Sequence, residues 1–244
     1  MNFGIKIYSQ NEEDGIILYL LKHIGIKTKK FIEIGIQDGT ECNTTNLLKN
    51  FSWSGTQIEG SQKFYLKAKY KLGKILGKKI KNLNLLNIFV TRNNINKTIK
   101  KLVPNNIDLL SIDIDGNDFW IWKSIKCIRP RLVIIEYNSF FGSKISATIK
   151  YKSNFLWDIE NKKSYYGASL KALEKLGKKK KYVLAGVDQN GVNAFFVRSD
   201  IAKKINLIPK KAEDVFIDNK RECRNKKQYA IESEKLKKRK IIKI

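Results

Sequence analysis

A small set of carboxylates and glycines carries most of the chemistry open to this chain. Residues 31–39 read Phe-Ile-Glu-Ile-Gly-Ile-Gln-Asp-Gly, an apolar run that ends in Glu33 and is followed by Gly35, Asp38 and Gly39. Residues 55–60 repeat the form and close on Glu59 and Gly60. Between them Asn43 and Thr44 offer a helix start, so the segment reads strand, tight turn, helix, strand. In a parallel βαβ unit the carboxyl ends of the strands face a crevice, where glycines let a ligand approach the backbone. Glu33 and Glu59 are therefore expected side by side at its rim. A carboxylate ending the second strand suits a ribose diol, because it accepts hydrogen bonds from both hydroxyls.

The alternative to this nucleoside site is an ordinary βα turn with no ligand. A dinucleotide site needs G-x-G-x-x-G, and here Ile36 and Gln37 separate the first glycine from the next acidic position. An acidic residue two places before Gly35 repels phosphates and attracts an ammonium group. Glu33-x-Gly35-x-x-x-Gly39 followed by Glu59 resembles motifs I and II of class I S-adenosylmethionine (SAM) methyltransferases.

A second group of carboxylates closes another apolar strand, in residues 107–120. Asp113, Asp115 and Asp118 follow Leu109-Leu110-Ser111-Ile112, which is costly unless they face the crevice. Asp118 can instead cap the next helix or close the turn. Residues 131–137 form a fifth strand, again polar at its end in Glu136, Tyr137 and Asn138. Methyl transfer to a hydroxyl requires alignment and removal of a proton. Asp113 is the first choice as base, Asp115 and Glu136 are alternates, and Asn138 is an orienting partner. The same oxygens suit Mg²⁺, but a single cluster without histidine leads us to assign no metal.

The elements that must position these groups follow from periodicity. Residues 16–24 form a helical face with Ser9 as a possible cap, and the lone His23 beside it is read as a surface residue. Residues 61–72 form a lysine-rich helix, 85–90 a third strand and 95–102 a helix. Residues 167–178 form another helix, 182–187 a strand, and 194–197 a returning strand after the Asp188-Gln189-Asn190-Gly191 turn. Residues 139–166 lose periodicity but hold Tyr151, Phe155, Trp157, Tyr165 and Tyr166, which suggests a substrate loop.

Composition bounds the rest. A chain of 244 residues suits one α/β domain with a tail. The net charge of +26 invites a nucleic-acid partner, yet only seven of the 49 basic residues are arginine, the side chain that makes bidentate phosphate contacts. Abundant lysine, asparagine and isoleucine together also match an AT-rich coding sequence. Cys42, Cys127 and Cys223 are too scattered for a disulfide framework or a zinc site. Neither a leader nor a membrane-spanning run is read, so a cytoplasmic location is expected.

Ser9-Gln10-x-x-Glu13-Asp14-Gly15, Glu41-Cys42-Asn43-Thr44, Trp53-Ser54-Gly55, Ile58-Glu59-Gly60, Asp113-Ile114-Asp115-Gly116-Asn117-Asp118 and Tyr166-Gly167-Ala168-Ser169-Leu170 together resemble the FkbM-like branch of SAM-dependent methyltransferases, over residues 8–200. Many members carry D-x-E-G where this chain has Asp113-Ile114-Asp115-Gly116. The resemblance implies a Rossmann-like class I methyltransferase fold: a mostly parallel seven-stranded sheet with an antiparallel last strand and helices on both faces. It implies an O-methyltransferase, commonly found with genes for surface polysaccharides or secondary metabolites. It implies SAM held by Gln10, Asp14, Glu33, Gly35, Asp38, Gly39, Asn43, Thr44, Glu59, Gly60 and Asp113. The expected organisation is a methyltransferase domain at 1–200 and a basic, solvated extension at 201–244, frayed over 235–244. The expected acceptor is a small molecule or glycan precursor; RNA methylation and a catalytically silent SAM-binding protein are the alternatives.

Overall fold

The computed structural model describes residues 4–103, 106–157, 164–219 and 225–244. Short apolar runs become the strands β1 (Lys30–Ile34), β2 (Ser54–Glu59), β3 (Leu83–Asn87), β4 (Leu109–Ile112), β5 (Leu132–Glu136), β6 (Ala147–Ile149), β7 (Tyr182–Val187), β8 (Asn193–Arg198) and β9 (Ile241–Lys243). The helices are α1 (Glu13–Ile24), α2 (Thr45–Phe51), α3 (Gln62–Leu76), α4 (Ile95–Leu102), α5 (Asp118–Ser124), α6 (Leu170–Lys179), α7 (Ser199–Lys204), α8 (Ala212–Val215) and α9 (Lys226–Lys237).

Seven strands form one sheet in the order β3-β2-β1-β4-β5-β8-β7. All run parallel except β8, which lies antiparallel between β5 and β7. The expected mostly parallel sheet with an inserted antiparallel last strand is therefore present. Both faces are covered, so the central strands are apolar on both sides. Phe31, Leu109, Leu132, Ile134 and Phe195 meet α1, α2, α3 and α7. Ile32, Ile34, Leu110, Val133 and Phe196 meet α4, α5 and α6. The strand order reverses between β1 and β4, which opens a crevice at their carboxyl ends.

Buried carboxylates fix the ends of these elements. Asp108, fully buried before β4, accepts hydrogen bonds from the amides of Lys27, Thr28 and Lys29 at 2.6–3.1 Å and so ties the approach to β1 onto β4. Asp14 does the same for the opening of the chain, taking the amides of Ile7, Tyr8 and Ser9 on one oxygen at 2.7–2.8 Å. Ser9 does not act as the cap proper, a position held by Glu12; its hydroxyl accepts from the Asp14 amide at 3.2 Å.

Two expectations are corrected. The third strand spans 83–87 and not 85–90, because the chain leaves the sheet after the Ile88 amide bonds to the Glu59 carbonyl. The extension is not frayed. Its β9 pairs antiparallel with β6, Ile149 facing Ile241, and the Ser233 hydroxyl of α9 donates to the Phe140 carbonyl at 2.5 Å. Phe140, Phe141, Tyr166 and Leu236 form a small buried core beneath this ribbon.

Candidate functional site

The crevice holds two adjoining cavities. The larger, about 690 Å³, is lined by Glu59, Gly60, Phe89, Asp115, Phe155 and Trp157 among others. The smaller, about 50 Å³, is polar and bordered by Gln10, Glu33, Asp38, Asn43 and Asn193. Gly35, Gln37 and Asp113 line both, which places the ends of β1 and β4 on the shared wall.

On the β2 side, Glu59 is held from two directions. Its Oε2 accepts from the Gln37 amide at 2.8 Å and its Oε1 from the Ser61 amide at 2.7 Å. A carboxylate has about four lone-pair sites, so one held by backbone amides keeps acceptor capacity for a diol. Burial raises the Glu59 pKa, the amides of Ser61, Gln37 and Ile36 oppose it, and repulsion from Asp115 adds a smaller upward push. Gln37 reaches Glu59 by adopting a left-handed backbone at φ 46°.

Glu33 borders the smaller cavity but is largely committed to scaffold. Its oxygens accept from the Asn43 amide at 2.7 Å, the Thr44 amide at 3.2 Å, the Thr44 hydroxyl at 2.5 Å and the Gln57 side chain at 3.0 Å. It thereby fixes the start of α2 against the sheet, while burial raises its pKa. Thr44 is fully buried in this network and does not line either cavity. Asp14 likewise stands behind the cavities as a clamp on the N-terminal turn. Asp38 is held by Thr40 at 2.5 Å and Lys71 at 2.6 Å. Gly39 faces α3 instead of the crevice, since a Cβ there would meet Ala68 and Leu72 at 3.0–3.1 Å.

Across the cavity, Asp113, Asp115 and Glu136 bring oxygens within 4.8 Å of one another. Burial, then repulsion from Asp115 and Asp118, hold the Asp113 carboxyl well above the usual carboxylate range. Asp118 closes the turn: it accepts from the Ile114 amide at 2.8 Å and the Gly116 amide at 2.9 Å. Its own pKa is pushed by burial to about 6. Asp115 takes a left-handed backbone at φ 52°, a conformation that aspartate tolerates better than most residues because its short polar side chain can hydrogen-bond locally. Gly116 has no side chain to keep Phe155 away; a Cβ would lie 2.3 Å from that ring.

Asn138, expected as an orienting partner, makes its hydrogen bonds to the scaffold. Its Oδ1 accepts from the Phe140 amide at 2.9 Å and its Nδ2 donates to the carbonyls of Ser164 and Tyr166 at 2.8 and 2.9 Å. Both polar atoms are therefore spent on anchoring the segment after β5, and the residue is fully buried. Of the aromatic loop, Phe155 and Trp157 line the larger cavity. Tyr166 sits in the small core, and Tyr151 packs against Trp120 and the Arg92 guanidinium, 4.9 Å from its ring centroid. Residues 158–163 of the loop lie outside the described residues.

Sequence reasoning missed Gln37, Ser61, Phe89 and Asn193. Asn193 faces Glu136 across the β5–β8 pair, and its Nδ2 donates to Glu13 at 2.9 Å. Only its place at the start of the returning strand could have singled it out.

The sheet order, with one reversed strand next to the last, defines a Rossmann-like fold of the class I methyltransferase type. No protein-family description and no curated protein matches the chain. Among solved structures it is similar to the methyltransferase domain of bacterial CtHen1-C, with 17% identity, 76% of this chain and 97% of that chain covered, and a TM-score of 0.49. It is similar also to magnesium protoporphyrin IX methyltransferase from Synechocystis PCC 6803 with bound SAM, at 10% identity over 77% of this chain and 78% of that chain, TM-score 0.49. An O-methyltransferase from Bacillus cereus in complex with S-adenosylhomocysteine gives 16% identity over 81% of this chain and 85% of that chain, TM-score 0.49.

Proposed function

We propose that the chain is a SAM-dependent O-methyltransferase of the FkbM-like branch, acting on a hydroxyl of a sugar, nucleotide-sugar or related glycan precursor. The observation that carries the reading is the clamped Glu59 on one wall of a cavity whose other wall is Asp113. The residues fit the cofactor by their donor and acceptor types. Glu59 would take the ribose hydroxyls, Ile88 and Phe89 the flat adenine, and the polar cavity of Gln10, Asn43 and Asn193 the amino-acid end. When bound, SAM supplies a methyl group on a sulfonium that is already a good leaving group.

The chain's own residues then align the acceptor oxygen and take its proton. Asp113 would perform the second task, since its crowded carboxylate holds a proton more tightly than an ordinary one. Phe155 and Trp157 offer rings on which a sugar face can pack, and they narrow access of water to the wall.

A second reading of the carboxylates rests on their spacing. Three oxygens within 4.8 Å form a set that a hard divalent cation accepts. Under that reading, chelation abolishes turnover and Mg²⁺ restores it, whereas a general base leaves activity insensitive to chelator.

Calorimetry with S-adenosylhomocysteine and NAD tests the cofactor. Binding of NAD and not of S-adenosylhomocysteine rejects methyl transfer. Glu59→Ala is expected to weaken S-adenosylhomocysteine about 10- to 100-fold, as loss of charge-assisted hydrogen bonds does. Labelled methyl transfer into fractionated extracts tests the acceptor. Label appearing in RNA with steep salt dependence overturns the glycan reading, and cofactor binding without turnover on any acceptor points to a silent binding protein.

A further inference from the structure

From Ser61 to Ile107 the chain contains no aspartate or glutamate, so all 23 carboxylates lie outside this stretch, which holds α3, β3 and α4. Within it α3 turns Ala68, Leu72 and Leu76 to the core. Its opposite side carries Leu66 and Tyr70, one turn apart, with exposures of 57% and 64%. Lys63, Lys67 and Lys74 flank them on the same outward face, and Lys74 Nζ lies 4.3 Å over the Tyr70 ring. Lys71, the lysine of α3 nearest an acid, is paired with Asp38.

This face adjoins the mouth of the larger cavity. Phe64, in the first turn of α3, lines that cavity together with Phe89, which is itself 41% exposed. Large apolar side chains one turn apart on an outward face ringed by lysines have the make-up of a helix that lies in a membrane interface. On a bilayer they enter the headgroup region while lysine stems lie along them and ammonium groups reach phosphates. A nucleic-acid face would use arginine forks, and α3 has none.

We propose that the outward face of α3, with the adjoining rim of the cavity, docks on an anionic lipid bilayer. The docking is independent of the methyl-transfer reading, since it rests on charge and exposed apolar groups alone. Among the described residues no helix is long and apolar enough to cross a membrane, so attachment through this face is peripheral.

Flotation with vesicles of phosphatidylcholine, with and without about one-third phosphatidylserine, measures it. The full chain is expected to float with the anionic vesicles and to be released as salt rises. Leu66→Ser with Tyr70→Ser should lower the partition about tenfold or more while leaving the melting temperature in place. Lys63→Glu, Lys67→Glu and Lys74→Glu together should lower it by at least about fivefold per residue. The matched change at Lys203, Lys210 and Lys211, exposed elsewhere, should cost much less. Equal losses from the two lysine sets would reduce the effect to net charge and overturn the proposal. So would equal binding to neutral vesicles, an unchanged partition in the Leu66/Tyr70 variant, or binding of polyuridylate with none to vesicles.

Discussion

Asp113→Asn is expected to lower methyl turnover by about 10²- to 10⁴-fold, the usual contribution of a positioned base, while S-adenosylhomocysteine affinity stays within a few fold. The side chain is isosteric, so the wall between the cavities keeps its shape and only proton acceptance is lost. Single-turnover rates beside calorimetry separate the two quantities; unchanged turnover removes Asp113 from the chemistry. The pH profile adds a sharper check. With Asp113 as the base, turnover should rise with pH as it loses its proton, and the limb should lie above the ordinary carboxylate range because burial and neighbouring charges favour the protonated form. Asp115→Asn removes the charge that, after burial, contributes most to that shift. The limb therefore moves to lower pH in this variant, whereas an Asp115 acting as the base itself would give loss of rate without such a displacement.

Gly35→Ala destabilises the fold by about 3 kcal/mol or more, as a forced overlap and an unsuitable backbone angle combine. Gly35 has φ 84°, and a Cβ there would sit 1.6 Å from the Asp113 carbonyl oxygen. That oxygen belongs to backbone held by the bond from the Asp113 amide to Ile34, so it has little room to retreat. Relief by separating the ends of β1 and β4 would also move Asp113 away from Glu59. A lowered melting temperature together with lost S-adenosylhomocysteine binding is the expected pair of results. An alanine variant that binds as well as the parent would show that the crevice tolerates rearrangement there.

The contrast between these residues shows what the sequence made legible. Strand and helix positions followed from apolar runs, and the spans 95–102 and 182–187 match the folded elements at both ends. The carboxylates at strand ends were legible because such groups are costly in a buried strand and must face the crevice or a partner. Their division into ligand and scaffold was not. Glu33 and Asn138 find their partners at 43–57 and 140–166, and nothing in a local window ranks those hydrogen bonds above a ligand's. The extension was misread for the same reason: three residues, Ile241–Lys243, are too few to announce a strand until β6 supplies the ladder.

That ribbon sets an order in time. The β1–β2 side of the crevice, from Glu33 to Ser61, draws on residues close together in the chain and can assemble early. The opposite side leans on β6, where the Trp120 ring nitrogen donates to the Ile149 carbonyl at 2.9 Å; one edge of β6 bonds to Gly167 and Ser169, and the other pairs with β9, nearly a hundred residues after β6. During synthesis one edge of β6 therefore closes on residues 167–169 first, and its other edge stays open until Ile241–Lys243 arrive.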